Sequence, residues 1–336
     1  MQLSNTAIAA RAPFAGLYQR MATTGLDEDV FKTIMAGETI EVEIEMAELY
    51  ELSETGTYSV TTAGSFMYAE EGSTELTGEL LPYTAEAITV DVDSEKAAKI
   101  ETAVARLSKR TIVQADCTGT RGTAIRSAIS SCRSIASNAA SAAAAGGARF
   151  QTFFKTASTA TVAARFRAVA NDCGSTTSGV TRTYCTDVYG ACSSGVLAYT
   201  LPSANLFAYC PTFFNQLPAL SGTCYGQDKA TTVLHESTHA PGVYSPGTVD
   251  NAYGYSAAIR LTASQALVNA DSYALFASGM YSFLCLSMLI STNMFFQLSA
   301  STARLFHDEY DERKSGVEVW RMTFMRMDTV TKPVLQ

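Results

Sequence analysis

Eight cysteines, all of them beyond residue 110, limit what this chain can become more than any other feature. Cys117, Cys132, Cys173, Cys185, Cys192, Cys210, Cys224 and Cys285 form an even set spread through one segment. No CxxC pair occurs among them, so nothing points to a thiolate metal site. Four disulfides formed in an oxidising compartment account for the set, which makes a secreted, extracellular protein the expectation. Eight buried thiols in a cytosolic protein is the alternative. The beginning of the chain carries no matching leader. Residues 5–15 include Ala7-Ile8-Ala9 but neither a basic stretch nor an apolar core of useful length, so the start reads as incomplete. There is no Asn-x-Ser/Thr sequon and hence no expected N-glycan.

Charge divides the chain at the same place. Residues 1–110 hold 19 acidic and 8 basic side chains, a net of −11, and residues 111–336 hold 13 acidic and 16 basic, a net of +3. Two units of opposite sign attract each other. At the junction stands Leu107-Ser108-Lys109-Arg110-Thr111. A dibasic pair is commonly no more than solvated charge. Here it coincides with the change of sign and the onset of cysteine, and cleavage by a kexin-like processing protease explains all three. Nothing in this pattern calls for nucleic acid.

The acidic segment reads as a small antiparallel β unit. Ile40, Val42 and Ile44 alternate with Glu41, Glu43 and Glu45, the period of a half-buried strand, and residues 57–68 and 87–92 read as further strands. Asp93-Ser94 is placed to cap a short helix running to Ala105. Beyond the junction, the Ala- and Ser-rich residues 122–145 predict a helix closed by Gly146-Gly147. Residues 150–156 and 159–171 predict two shorter ones. Residues 181–209 read as short strands and loops, and residues 227–239 and 262–279 as helices. Residues 279–296 are largely apolar, which raises a membrane span, but Ser282, Ser287, Ser291, Thr292 and Asn293 interrupt them. A membrane-anchored form is therefore the weaker reading.

The chemistry lies in His235-Glu236-Ser237-Thr238-His239. Residues four apart on a helix share a face, so both imidazoles can reach one metal ion. Glu236, beside the first of them, is placed to take a proton from a water that the metal has made acidic. Two of only three histidines in the chain lie in this HExxH pattern. The bland reading is a pair of ordinary histidines on a helix. A zinc hydrolase needs a third protein ligand and an open position. The pattern HExxHxxGxxH finds Gly242 but has Ser245 in place of its third histidine, and His307 stands far off in the tail. A carboxylate is left, and Asp250 and Asp271 are the only acidic residues between the motif and the tail.

Gly247-Thr248-Val249-Asp250-Asn251-Ala252-Tyr253-Gly254 fits GTxxDxxYG. Together with HExxH it resembles the aspzincin signature, and residues 227–277 are similar to the deuterolysin family of fungal neutral proteases. The likeness extends from Gly37 to Cys285. It implies an α+β fold, with a zincin-like metalloprotease domain at residues 111–285 preceded by an acidic, β-rich propeptide domain within residues 1–110. Residues 286–336 are a tail without a family counterpart. It implies one Zn2+ per chain held by His235 and His239, with Glu236 as catalytic base and Tyr253 stabilising the oxyanion. It places Asp271 first as third ligand, with Asp250 orienting a ligand imidazole, and leaves the reverse order open. It pairs Cys117 with Cys185, Cys192 with Cys210 and Cys224 with Cys285, which leaves Cys132 for Cys173. The expected activity is a secreted endopeptidase, made as a propeptide-inhibited precursor and acting on proteins and peptides, basic proteins among them. A non-catalytic binding protein on the same scaffold is the rival, and the presence of Glu236 counts against it.

Overall fold

In the computed structural model, residues 2–35, 38–40, 44–100, 113–280 and 320–323 are described. The strands are β1 (Gln2–Asn5), β2 (Ala10–Arg11), β3 (Tyr18–Met21), β4 (Lys32–Ile34), β5 (Gly56–Glu70), β6 (Leu76–Val92), β7 (Arg182–Tyr184), β8 (Val196–Leu201), β9 (Leu206–Tyr209) and β10 (Trp320–Thr323). The α-helices are α1 (Met46–Leu49), α2 (Ser94–Ala97), α3 (Gly119–Ala145), α4 (Ala148–Phe154), α5 (Thr159–Asp172), α6 (Pro211–Gln216), α7 (Lys229–His239), α8 (Tyr255–Ala258), α9 (Ala263–Leu267) and α10 (Ala270–Ser278). The architecture is mixed, as expected, with the long helices gathered beyond residue 113.

Two sheets organise the strands. In the first, β5 is the spine: β1 pairs with its first half, β10 with its second half and β6 along its length, all antiparallel. Leu3, Tyr50, Tyr58 and Val60 pack beneath it. The second sheet has the order β3-β8-β9-β7. Every residue of β8 and β9 is buried, which fits their unbroken apolar character better than alternation would. Its outermost member, β3, comes from the N-terminal region and runs antiparallel to β8, with Tyr18 opposite Thr200 and Arg20 opposite Ala198.

Helix α3 buries Ile125, Ala128, Ile129, Cys132, Ile135, Ala136, Ala139, Ala140 and Ala143, the stripe that a 3.6-residue period produces. Its alanines let α5 and α7 approach closely. Gly146, at φ 72°, stops it and donates to the Ala142 carbonyl. On the far side, Phe150, Phe153, Phe154 and Phe166 meet Tyr273 and Phe276 of α10 at centroid distances of 4.9–6.4 Å. Aromatic pairs at such spacings add to the burial energy and fix α10 beside α7.

Several expectations change. Residues 262–279 are not one helix: α9 and α10 are separated at Val268-Asn269, where Val249 docks by accepting from the Ala270 N–H and donating to the Val268 carbonyl. The Asn269 side chain accepts from the backbone of Asn251 and Ala252, so a tertiary contact replaces the helical ladder. The helix after Asp93 is capped as foreseen, by acceptance from the N–H groups of Glu95 and Lys96, but ends at Ala97. Ile40 and Ile44 are in no strand, and Glu45 instead caps α1. Val42, Lys109-Arg110, Cys285, His307 and most of the apolar stretch 279–296 lie outside the described residues. Among the described residues, no helix is long and apolar enough to cross a membrane.

Three disulfides are formed as expected, Cys117–Cys185, Cys132–Cys173 and Cys192–Cys210. Cys224 is also disulfide-bonded. Cys132–Cys173 ties α3 to the end of α5 across a separation of 41 residues. Replacing both by alanine should cost about 3–4 kcal/mol of stability through the freed loop entropy. A lower guanidinium midpoint would register it. A midpoint equal to the parent's would show that the bridge constrains nothing.

Candidate metal centre

Helix α7 begins in a capping box, with Asp228 accepting from the Thr231 N–H at 2.7 Å and the Thr231 hydroxyl returning to the Asp228 N–H at 3.3 Å. It is buried from Ala230 to His239. His235 and His239, one turn apart, bring their Nε2 atoms to 3.2 Å from each other. Asp250 completes the group, with Oδ1 3.2 Å from His235 Nε2 and Oδ2 3.3 Å from His239 Nε2.

The loop that delivers Asp250 is held at both ends. A side chain on Gly247 would come within 2.2 Å of the His239 carbonyl, so only glycine lets the loop lie against the helix terminus. Thr248 donates its N–H to the Thr238 carbonyl at 2.9 Å, and Val249 then docks on α10 as described. The Thr248 carbonyl lies 2.9 Å from His239 Nδ1. A carbonyl can only accept, so Nδ1 carries the proton and Nε2 presents its lone pair to the cluster.

Asp271 stands on the other side of His235. Its Oδ1 is 3.4 Å from His235 Nδ1, and its Oδ2 accepts from the Gly254 N–H at 2.6 Å. The family likeness puts Asp271 first as third ligand and leaves the reverse order open; in the structure the carboxylate that meets both Nε2 atoms is Asp250. The order turns on which ring nitrogen each carboxylate faces, and that is decided by the docking of Val249 on α10.

The residues present fit a metal ion. Neither Asp250 oxygen has a hydrogen-bond partner although Asp250 is nearly buried. Two unprotonated imidazole nitrogens and a carboxylate converging on one point would otherwise be left unsatisfied. Two nitrogens and one oxygen are a donor set that zinc takes, with a fourth position open. His235, His239 and Asp250 are the one such cluster among the described residues. Burial works to raise the Asp250 pKa, but its neighbours His239 and then His235 outweigh it and hold the carboxyl well below the usual range.

Glu236 is fully buried on the same helix. Thr200 of β8 donates its hydroxyl to Oε2 at 2.6 Å, while Oε1 has no partner. Burial raises its pKa, partly offset by the two imidazoles and by Thr200, the combination that brings a carboxylate toward the range useful in a general base. The Tyr253 ring stacks on His235 at 5.8 Å, and its hydroxyl donates to the Gln19 carbonyl of β3. Burial, then the Asp250 charge, keep that hydroxyl protonated.

A model of the deuterolysin metalloprotease (M35) family matches residues 7–285. The chain belongs to this family. Two curated proteins named neutral protease 2 homolog are similar over most of it. That of Phaeosphaeria nodorum is 53% identical over 269 residues, spanning 80% of this chain and 75% of its own. That of Aspergillus terreus is 51% identical over 274 residues, spanning 80% and 77%. A solved zinc peptidase from Grifola frondosa aligns with 24% identity and a TM-score of 0.39, over 48% of this chain and 97% of its own.

Beyond the residues foreseen in this metalloprotease, the structure adds Thr200 on Glu236 and Arg165 of α5, whose guanidinium donates to the Thr238 carbonyl at 3.3 Å and lies 4.6 Å over the Tyr244 ring. It also adds Tyr18, Gln19 and Arg20 of β3, which lie across the cluster.

Proposed function

We propose that this chain is the precursor of a secreted zinc metalloendopeptidase. One zinc ion is held by His235, His239 and Asp250, Glu236 is the general base, and Tyr253 is the oxyanion donor. The convergence of the three ligand atoms beside a buried, half-satisfied carboxylate carries this reading, and membership of a metalloprotease family supports it.

When bound, zinc supplies a Lewis acid that polarises the scissile carbonyl and lowers the pKa of water. The chain's own groups do the rest. Oε1 of Glu236, left open because Thr200 holds Oε2, accepts the proton of the attacking water and passes it to the leaving nitrogen. The Tyr253 hydroxyl, kept protonated by burial, donates to the carbonyl oxygen as negative charge develops there. The Thr248 carbonyl holds the His239 Nδ1–H and thereby aims its Nε2, and the Asp271 carboxylate stands 3.4 Å from His235 Nδ1 on the side away from the cluster. Protein and peptide substrates follow from this chemistry. The four disulfides expected from eight cysteines, three of them between described residues, favour an oxidising, extracellular setting. The charge reversal at Lys109-Arg110 favours removal of residues 1–110 by a kexin-like protease. The presence of β3 across the cluster supports a precursor whose cleft is covered.

Three measurements bear on this. In the processed chain, Glu236→Gln should keep zinc and lose at least about a hundredfold in turnover, and near-normal turnover would remove Glu236 from the mechanism. Asp250→Ala should abolish zinc binding, whereas Asp271→Ala should weaken it about ten- to a hundredfold and recover in part with added zinc. A zinc titration read by bound metal separates them, and the opposite result would restore Asp271 as ligand. N-terminal sequencing of the secreted enzyme should begin at Thr111, and an active chain retaining residues 1–110 would sink the maturation step.

A further inference from the structure

Strand β8 is the edge of its sheet but for β3, and β3 belongs to the segment N-terminal to the dibasic pair. Its anchoring is unusually thorough for four residues. The Tyr18 ring stacks on the His239 ring at 4.8 Å. The Gln19 carbonyl accepts from Tyr253, and the Gln19 side chain donates to the Ala191 carbonyl at 2.9 Å. Arg20 is 1% exposed, with one guanidinium nitrogen 3.2 Å from Asp271 Oδ1 and the other donating to the Thr231 carbonyl at 3.3 Å. Beyond the strand, the Ala22 N–H donates to the Gly195 carbonyl at 2.7 Å. The Gln227 side chain, just before α7, accepts from the Thr23 N–H and donates to the Met21 carbonyl, both at 2.9 Å.

These contacts are those of an extended segment paired with a sheet edge beside the candidate metal centre. An extended segment added antiparallel to a sheet edge gains affinity from main-chain pairing and specificity from alternate side-chain pockets. One carbonyl of the segment meets the hydroxyl assigned to the oxyanion, and the side chain that follows enters a buried pocket ending in a carboxylate. We propose that residues 17–23 are a built-in inhibitory strand. In this arrangement the Gln19 carbonyl takes the place of the scissile carbonyl, and Arg20, paired with Asp271, is the latch. The inference rests on the proteolytic reading above. Asp271 Oδ1 has two claimants, Arg20 and His235 Nδ1, so the latch also engages the group that orients a ligand imidazole. Because the strand lies far upstream of Lys109-Arg110 and is held by non-covalent contacts, cleavage there leaves it in place. Inhibition ends when the segment dissociates or is degraded.

The test compares full-length precursors made resistant to processing by Lys109→Ala and Arg110→Ala, with and without Arg20→Ala, on a fluorogenic peptide. Truncating one partner of a buried, hydrogen-bonded charge pair typically costs enough to raise dissociation about thirtyfold or more. The Arg20→Ala precursor should therefore turn over at least about thirtyfold faster than its silent parent. Equal silence, when Arg20→Ala in the normally processed precursor yields an active enzyme, overturns the latch. If the processed chain, freed of residues 1–110, is itself inactive toward peptides, the proteolytic reading fails and the inhibitory strand falls with it. A second measurement does not depend on how the variant precursor folds. A synthetic peptide of residues 17–23 added to the processed enzyme should raise KM without changing kcat, and the same peptide with Arg20→Ala should need about thirtyfold more. No inhibition, or a fall in kcat at constant KM, overturns the proposal.

Discussion

The rest of the structure depends on the complete burial of a polar helix. From Ala230 to His239 the chain passes through the core with two imidazoles, a carboxylate and four hydroxyls, none of which can be left in an apolar medium without a partner. Part of the demand is met within the helix, where Thr232, Ser237 and Thr238 donate to the Asp228, Val233 and His235 carbonyls. The remainder falls on other elements. β8 supplies Thr200, α5 supplies Arg165, the loop after Gly247 supplies Thr248, and α10 supplies Asp271. The architecture surrounding α7 is what satisfying these groups requires. Both oxygens of Asp250 and one oxygen of Glu236 are among the atoms left without a partner, and they lie beside the converging imidazoles of His235 and His239.

Much of this was legible in the sequence wherever the signal was local. The existence of α3, its glycine stop, the extent of α5 and the HExxH register follow from composition, spacing and capping. Two observed bridges, Cys117–Cys185 and Cys192–Cys210, match pairs that the family likeness supplied, and the third, Cys132–Cys173, is the pair it left over. The break between α9 and α10 had no such signal. Asn269 lies amid good helix formers, and what ends the ladder is a segment some twenty residues earlier docking between Val268 and Ala270. The same contact decides the two aspartates. Sequence could name Asp250 and Asp271 as the available carboxylates, but which ring nitrogen each meets depends on the register of Val249 against α10, a tertiary fact. Thr200 was invisible for a related reason: a threonine in a buried strand looks like any β-branched residue until the helix beneath it is known to carry a carboxylate. Residues 18–20 read as nothing in particular, because their significance lies in the strand they pair with.

The boundary drawn from charge and cysteine at residue 110 does not coincide with a boundary between sheets. β5 and β6 build one sheet within the acidic segment, yet β3, from the same segment, completes the other. Opposite net charges alone would give only a loose, salt-sensitive attraction between the two units. The shared sheet and the buried Arg20–Asp271 pair give a specific register instead.

That β3 is a member of a sheet, and not a loop laid over a hole, has a consequence for the chain once it is shorn of the segment. β8, buried along its whole length, would lose its ladder with β3 and become a bare edge without the charges by which proteins guard such edges from one another, interrupted only by the register shift opposite Arg20 and Met21. An unguarded strand of this kind invites pairing with any extended chain, including another copy of itself. The sheet edge that β3 covers is therefore a liability toward self-association when it is left bare.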